Sequence, residues 1–310
     1  MTADIRIGIC GTGSFGTARA RALAQLENCT VAMGWSRSSA TRERFSSELH
    51  VPTVDSGSEL CTSSEVDAVF VCSPNTEHFA YARTALEAGK HVLVETPLGI
   101  SYKQARELAQ LAAAQDRVLH HGAKHRYHPD HAEHIDRLRR VGRLLFACDH
   151  AAFDFGPNRL WYADAQLTGG ARTFLPYVML NWLEAFGEID RAIGEESARG
   201  DWQVATVILH FAAGGHVVLS YAIGLGIPEA PTRQLVGTEG SILALPDAGP
   251  IFIQGDSKTE LAQRDVDIVA CECRAFLDEI RGQRDHRANL DFDLRAWELV
   301  DQALNPPSQT

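Results

Sequence analysis

The stretch Ile5-Arg6-Ile7-Gly8-Ile9-Cys10-Gly11-Thr12-Gly13-Ser14-Phe15-Gly16 decides the first domain. Ile5 to Cys10 is an apolar strand run, and the alanine-rich segment that follows to about Leu26 reads as a helix. Between them stand glycines spaced G-x-G-x-x-G. Glycines at that spacing permit a tight turn, close approach of backbone to a pyrophosphate, and close helix–strand packing. The helix N-terminus then offers unpaired N–H groups to the anion. Gly11, Thr12, Gly13, Ser14, Phe15 and Gly16 are therefore expected to hold a dinucleotide; the alternative is a tight turn with no ligand.

Outward from this loop, strands alternate with helices. The strand from about Thr30 to Trp35 ends on Ser36-Arg37-Ser38, with no acid until Glu43. An acid at this point reads a ribose 2′-hydroxyl, whereas a guanidinium and two hydroxyls suit a 2′-phosphate, so NADP(H) is expected, with NAD(H) possible. The other reading has Ser38 cap the helix running to Leu49 and leaves Arg37 solvated. Ala68 to Cys72 is a second buried strand, followed by Ser73-Pro74-Asn75-Thr76-Glu77-His78 and a helix that stops at Gly89. His91 to Glu95 is another, and it must end at Thr96-Pro97 because proline cannot donate to a ladder. Carboxyl ends of strands in open parallel sheets are where ligands bind, so Glu95 and Thr96 point at a site. Ser101 caps a helix to Gln115, and Val118 to Ala123 is one more strand. Residues 1–122 read as a doubly wound parallel sheet.

Beyond this the pattern changes. Asp130 to Arg140 is an amphipathic helix, Leu144 to Phe153 a strand, and Gly169-Gly170 opens an apolar segment to Phe186. Trp202 to Phe211 and His216 to Ile223 alternate and are joined by Ala213-Gly214-Gly215, which is hairpin chemistry. Arg233 to Val236 and Ser241 to Leu245 continue the strands, and helices at about Asp265 to Arg281 and Asp291 to Ala303 finish the chain, with a disordered tail from Asn305. Residues 123–310 therefore form an α+β domain with an open, largely antiparallel sheet.

With 310 residues the chain has room for two cores, and 45% hydrophobic with 22% charged residues is ordinary for a globular protein. A net charge of -11 with no basic block argues against nucleic acid or an anionic membrane as partner. No apolar run reaches the roughly 18 residues of a membrane span. Seven cysteines without a CxxC pair, Cys10 and Cys72 among them in apolar runs, suit a reducing compartment, and the start of the chain has no signal pattern. A cytoplasmic location is expected.

The segments Gly11 to Gly16, Cys72 to His78 and Ala85 to Pro97 resemble the Gfo/Idh/MocA family of NAD(P)-dependent oxidoreductases, as do Arg126-Tyr127-His128-Pro129 and Val236 to Ser241. The resemblance implies a Rossmann domain, a second domain whose open sheet often makes oligomer contacts, and nicotinamide over the strand ends near Cys72, Ser73, Pro74, Asn75, His78, Glu95, Thr96 and Pro97. The family has Glu-Lys-Pro where this chain has Glu95-Thr96-Pro97. It also places an Asp and a His after the second domain's glycine pair, where this chain has Ala171 to Asn181 with neither.

Hydride transfer leaves negative charge on oxygen or nitrogen, and a donor must neutralise it. Lys124, Tyr177 and His125 are the candidate catalytic groups, with His121 a further proton donor. Glu95, Thr96, Arg172, Asn181 and His150 are candidate substrate contacts, and Asp149 and Asp154 lie near His150 on the same strand. Each has a plain alternative: an interdomain salt bridge for Lys124, a half-buried helix aromatic for Tyr177, a surface position for His150. The histidines at 120, 121, 125, 128, 131 and 134 are dense, but Pro129 interrupts them and no familiar ligand spacing completes a metal site. Nothing resembles a nucleophile elbow.

The expected function is an NADP(H)-dependent reductase of a carbonyl, imine or enone in a small organic substrate of specialised metabolism, because the cofactor carries the hard chemistry. A dinucleotide-binding regulatory protein and a non-redox lyase, isomerase or cyclase stay open. A homodimer or higher homo-oligomer through the sheet from Trp202 onward is expected by analogy.

Overall fold

The computed structural model describes residues 4–154, 164–200, 202–224, 232–245, 248–261 and 264–306. The first unit is built from β1 (Ile5–Cys10), α1 (Ser14–Leu23), β2 (Cys29–Trp35), α2 (Ser39–Leu49), α3 (Gly57–Thr62), β3 (Ala68–Val71), α4 (Asn75–Glu87), β4 (His91–Glu95), α5 (Tyr102–Ala114) and β5 (Leu119–Gly122). Its sheet has the order β2-β1-β3-β4-β5, with every pair parallel. β3 and the middle of β4 are fully buried, as expected for strands covered on both faces. α2 and α5 start where side chains replace missing backbone partners: Ser38 Oγ accepts from Thr41 N, and Ser101 Oγ accepts from Gln104 N. β4 stops at Glu95, before the cis Thr96–Pro97 bond.

The second unit holds α6 (His131–Arg139), β6 (Leu144–Asp154), α7 (Ala165–Thr168), α8 (Leu175–Phe186), β7 (Ile189–Arg199), β8 (Trp202–Phe211), β9 (His216–Gly224), β10 (Thr232–Gly237), β11 (Ser241–Leu245), β12 (Ala248–Gln254) and β13 (Ser257–Glu260). Its sheet runs β13-β12-β11-β10-β6-β9-β8-β7 and is antiparallel except for the β6–β9 pair. Strict alternation along β8 and β9 buries Val207, Leu209, Val217 and Leu219 on one face. Gly215 closes the β8–β9 hairpin at φ +81, where an added Cβ would meet Leu144 O at 2.3 Å. β7 has no counterpart in the sequence reading. Its charged residues, Asp190, Arg191, Glu195, Glu196 and Arg199, hide the strand pattern, and such charges are typical of an edge. The expected disordered tail lies outside the described residues beyond Pro306.

The chain then returns. α9 (Ile268–Ile280) and α10 (Arg287–Leu304) close the sequence, and residues 266–291 cluster with 1–128, while 129–265 and 292–310 form the other unit. A single cut at 122/123 does not include this return. Cys273, Phe276 and Leu277 of α9 join the core of Ile7, Ile9, Phe70 and Leu93, with Phe276 edge-on to Phe70 at 5.2 Å.

Polar contacts fix α9 as well. The Arg19 guanidinium of α1 is 1% exposed; its Nε and Nη2 each lie 2.8 Å from Glu95 Oε1, and it also pairs with Glu272. Glu272 and Glu279 of α9 flank His120 of β5, whose Nδ1 is 2.7 Å from Glu279 Oε2. Arg284 stands 3.7 Å from Glu279. Arg19 and His120 thus face three carboxylates in the interior, with Arg284 at its edge. Burial works against a charged His120, but Glu272 and Glu279 outweigh it and push its pKa up to about 9.

A histidine whose folded pKa exceeds its ordinary 6.5 stabilises the protein fully below that value and loses the contribution as pH rises through about 9. Urea denaturation followed from pH 6.5 to 9.5 should show stability falling by on the order of 2–3 kcal/mol. His120→Gln should flatten that fall. A wild-type curve that is level across this window contradicts the cationic assignment.

Candidate functional site

The carboxyl ends of β1, β2, β3, β4 and β5 carry the candidate site of the first unit. Gly11 N donates to Trp35 O at 2.7 Å and Cys72 N to Cys10 O at 2.7 Å, so the glycine loop is tied to both neighbouring strand ends. The three motif glycines answer to different constraints. At Gly11, φ is +112 and an added Cβ would lie 2.4 Å from the Cys72 backbone. At Gly16 it would lie 1.9 Å from Gly11 O. At Gly13 nothing lies within 4 Å and φ is an ordinary -69. Packing therefore accounts for the first and third glycines but not for the second.

Open space at Gly13 adjoins the start of α1, which no side chain caps. Two buried hydroxyls lie on the same loops, Thr12 Oγ1 and Ser73 Oγ, and neither has a hydrogen-bond partner among the described residues. A buried hydroxyl without a partner is costly, and a bound anion is one way to satisfy it. Exposed backbone N–H groups, a dipole end and two idle hydroxyls fit the phosphates of a dinucleotide. Ser14 is exposed and Phe15 half-buried, with the Lys124 ammonium 5.1 Å from the Phe15 ring centroid. Lys124 is thus placed against the glycine loop, and no carboxylate pairs with it among the described residues.

At the end of β2 the three expected residues divide their work. Ser38 Oγ is occupied as the α2 cap and Ser36 Oγ donates to Ser38 O at 3.3 Å, so both hydroxyls serve the turn. The Arg37 side chain is 71% exposed, with only a 3.6 Å pair to Glu77. Arg42, which sequence reasoning missed, donates to Ser36 O at 2.7 Å and pairs with Asp55, fixing the turn that presents Arg37. Its only sequence signal is its place one turn into the helix.

Next to the loop, the Cys72 thiol is pushed well up by burial and then by Glu95, so it stays neutral. Pro74 precedes α4 and Asn75 opens it, buried. The ring nitrogens of His78 approach Pro97 O at 2.7 Å and Ser73 O at 2.8 Å, which joins the β3 and β4 ends. Burial depresses the His78 pKa despite those carbonyls, and its role is positional. Glu95 accepts from Arg19 and is committed as its counter-ion. Thr96 Oγ1 lies 3.0 Å from Gly122 O and 3.1 Å from His121 Nε2. His125 is half-buried on the 3-10 turn Lys124–Tyr127.

The dense histidines do not form one group. His120 is consumed by the α9 carboxylates and His121 faces Thr96, while His131 pairs with Glu184 at 2.9 Å in the second unit. His134, also there, is pushed down to about 4 by burial and then by Arg233. Among the described residues no three His, Cys, Asp or Glu side chains gather as a metal site.

In the second unit Arg172 pairs with Glu196 at 3.2 Å and is not free to bind an anion without breaking that bond. Tyr177 and Asn181 are half-buried one turn apart on α8, and Asn181 Oδ1 has no partner among the described residues. Asp149 is structural: it accepts from Trp182 Nε1 at 3.0 Å and from Arg233 Nη2 at 2.8 Å. His150 follows it on the opposite face of β6, across from Ser220 and Thr232. Trp182 of α8 meets the Asp149 face of β6, and His150 lies on the other face.

With this geometry in hand, comparison with known proteins is informative. Residues 5–123 match the family model of oxidoreductases with an NAD-binding Rossmann fold, Gfo/Idh/MocA. Mouse biliverdin reductase A is 50% identical over 58 residues, 19% of this chain and 20% of its own. The dTDP-3,4-didehydro-2,6-dideoxy-alpha-D-glucose 3-reductase of Actinomadura kijaniata is 32% identical over 139 residues, 43% of this chain and 41% of its own. The chain thus spans less than half the length of either relative. Biliverdin reductase from Synechocystis sp. PCC 6803, solved with biliverdin and NADP+, superposes with a TM-score of 0.88 at 24% identity, covering 97% of this chain and 99% of that one. The chain shares the fold of that enzyme.

Gly13→Ala should leave thermal stability within about 0.5 kcal/mol of wild type, because no atom is near. It should weaken dinucleotide binding at least about tenfold, since it removes the space a phosphate needs. Gly16→Ala should instead destabilise by roughly 1–3 kcal/mol through a backbone clash. Calorimetry with nucleotide fluorescence separates the two; equal loss of stability in both variants defeats the division.

Proposed function

We propose that the protein is an NADP(H)-dependent reductase that acts on a conjugated C=N or C=C system in a small organic molecule of the open-chain tetrapyrrole kind. The carrying observation is Gly13, a glycine that the chain's own packing does not require, beside the two partnerless hydroxyls of Thr12 and Ser73. Those three, with the α1 N-terminus, would hold the pyrophosphate, and Arg37 the 2′-phosphate. A bound dihydronicotinamide supplies the hydride. Lys124 adds a positive charge beside the glycine loop, and Tyr177 with Asn181 offers substrate contacts in the second unit.

The substrate class rests on what the β4 end lacks. Reducing an isolated ketone concentrates charge on one oxygen and calls for a strong adjacent donor. Thr96 stands where the family's lysine would, and Glu95 is neutralised by Arg19, so no ammonium or free carboxyl is there. A conjugated acceptor spreads the developing charge and asks less of the protein. The likeness to a biliverdin reductase over nearly the whole chain favours the same reading.

Fluorescence titration should give a lower Kd for NADPH than for NADH. Arg37→Ala should erase the difference, a loss of about 1.5–3 kcal/mol toward NADPH with NADH unchanged. NADPH should then be consumed when biliverdin is added, followed by absorbance. Failure to bind either nucleotide overturns the redox reading, and consumption with keto sugars but not with biliverdin overturns the substrate class.

A further inference from the structure

The geometry points to Thr96 and His121 as the proton-delivering pair of this reductase, with the threonine hydroxyl handing over the proton and the imidazole replacing it; this rests on the reductase reading above. The sheet order supplies the placement. The ribose-reading turn lies at β2, the phosphate loop at β1, and β3, β4 and β5 follow in line. Adjacent strands are ~4.8 Å apart, so β4 lies ~14 Å from β2, and the end of the dinucleotide opposite the adenosine falls at the tips of β4 and β5. Thr96 is the residue after β4 and His121 lies within β5.

The hydrogen bonds at Thr96 set the direction of transfer. Its hydroxyl has one proton, and Gly122 O, which can only accept, lies 3.0 Å away. Donating there, Thr96 Oγ1 accepts from His121 Nε2 at 3.1 Å, so that nitrogen carries a proton. His121 itself is 4% exposed while Thr96 is half-exposed, which leaves the hydroxyl as the contact surface and the ring behind it. Ionisable neighbours include His78 of α4, held by two carbonyls, and Glu95 of β4, held by Arg19.

The step balances as follows. When hydride reaches the substrate carbon, the π electron pair moves to the conjugated nitrogen. The Thr96 hydroxyl turns from Gly122 O to that nitrogen, its O–H bond breaks as a new N–H bond forms, and the His121 Nε2–H bond breaks to restore the hydroxyl. The His121 ring takes a proton at Nδ1 from water as it gives up the one at Nε2, so the ring changes tautomer and the charge balances.

Three variants and one spectrum test the pair, with NADPH and biliverdin as the probes. Thr96→Val should slow turnover about 10²-fold or more with NADPH Kd within about threefold of wild type, and Thr96→Ser should recover most of the rate. His121→Gln, which keeps a donor but cannot take a proton at one nitrogen while giving one from another, should be slow with NADPH Kd unchanged. In ¹⁵N-histidine NMR of the free protein, His121 should show a protonated Nε2 that shifts in Thr96→Val. A bare Nε2 at every pH where the enzyme turns over, or a wild-type rate in Thr96→Val, overturns the pair. If wild type fails to reduce biliverdin the reductase reading fails separately, and the nitrogen spectrum then decides for or against the pair.

Discussion

A guanidinium buried to 1% exposure is the constraint on which the first unit depends. Stripping an arginine of water costs several kcal/mol unless carboxylates answer it at hydrogen-bond distance. Here Glu95 and Glu272 do so, one from the end of β4 and one from α9. The requirement therefore locks α1, the tip of a central strand and a helix from the far end of the chain into one arrangement. Losing either carboxylate leaves a charge stranded, which is why such networks fix structure more firmly than their net energy suggests.

That lock has a chemical consequence at the strand tips. A carboxylate spent on Arg19 is not available as a base, so Glu95 holds position and Thr96 follows it at the strand tip. Its hydroxyl is steadied by Gly122 O and His121 of the neighbouring strand. His78 ties the loop after β3 to Pro97 in the same way. The ends of β3, β4 and β5 are thus tied to one another by side-chain hydrogen bonds.

Much of this was legible in the amino-acid order. The alternation of apolar strands with capped helices, the glycine loop and the stop at Pro97 all rest on local patterns, and each appears where the pattern places it. β7 escaped because its charges mask alternation on an edge strand. The histidine cluster misled for the opposite reason: neighbours in sequence, His120 and His121 point to different partners on the two faces of β5, and His131 and His134 belong to another unit. Ser36 and Ser38 looked like phosphate ligands because a turn hydroxyl and a binding hydroxyl have the same composition.

By itself the sequence determined the Rossmann architecture, the mixed α+β character of the second half and the glycine loop, since periodicity and turn chemistry act over a few residues. Only the tertiary structure decided which ionisable groups are spent and which stay free. Arg19 meets Cys273 across 254 positions, and no local pattern encodes a partner at that distance. Protonation and pairing depend on burial and on charges brought close by folding, so the chemistry of Glu95, His120 and Thr96 was fixed only once the chain had closed on itself.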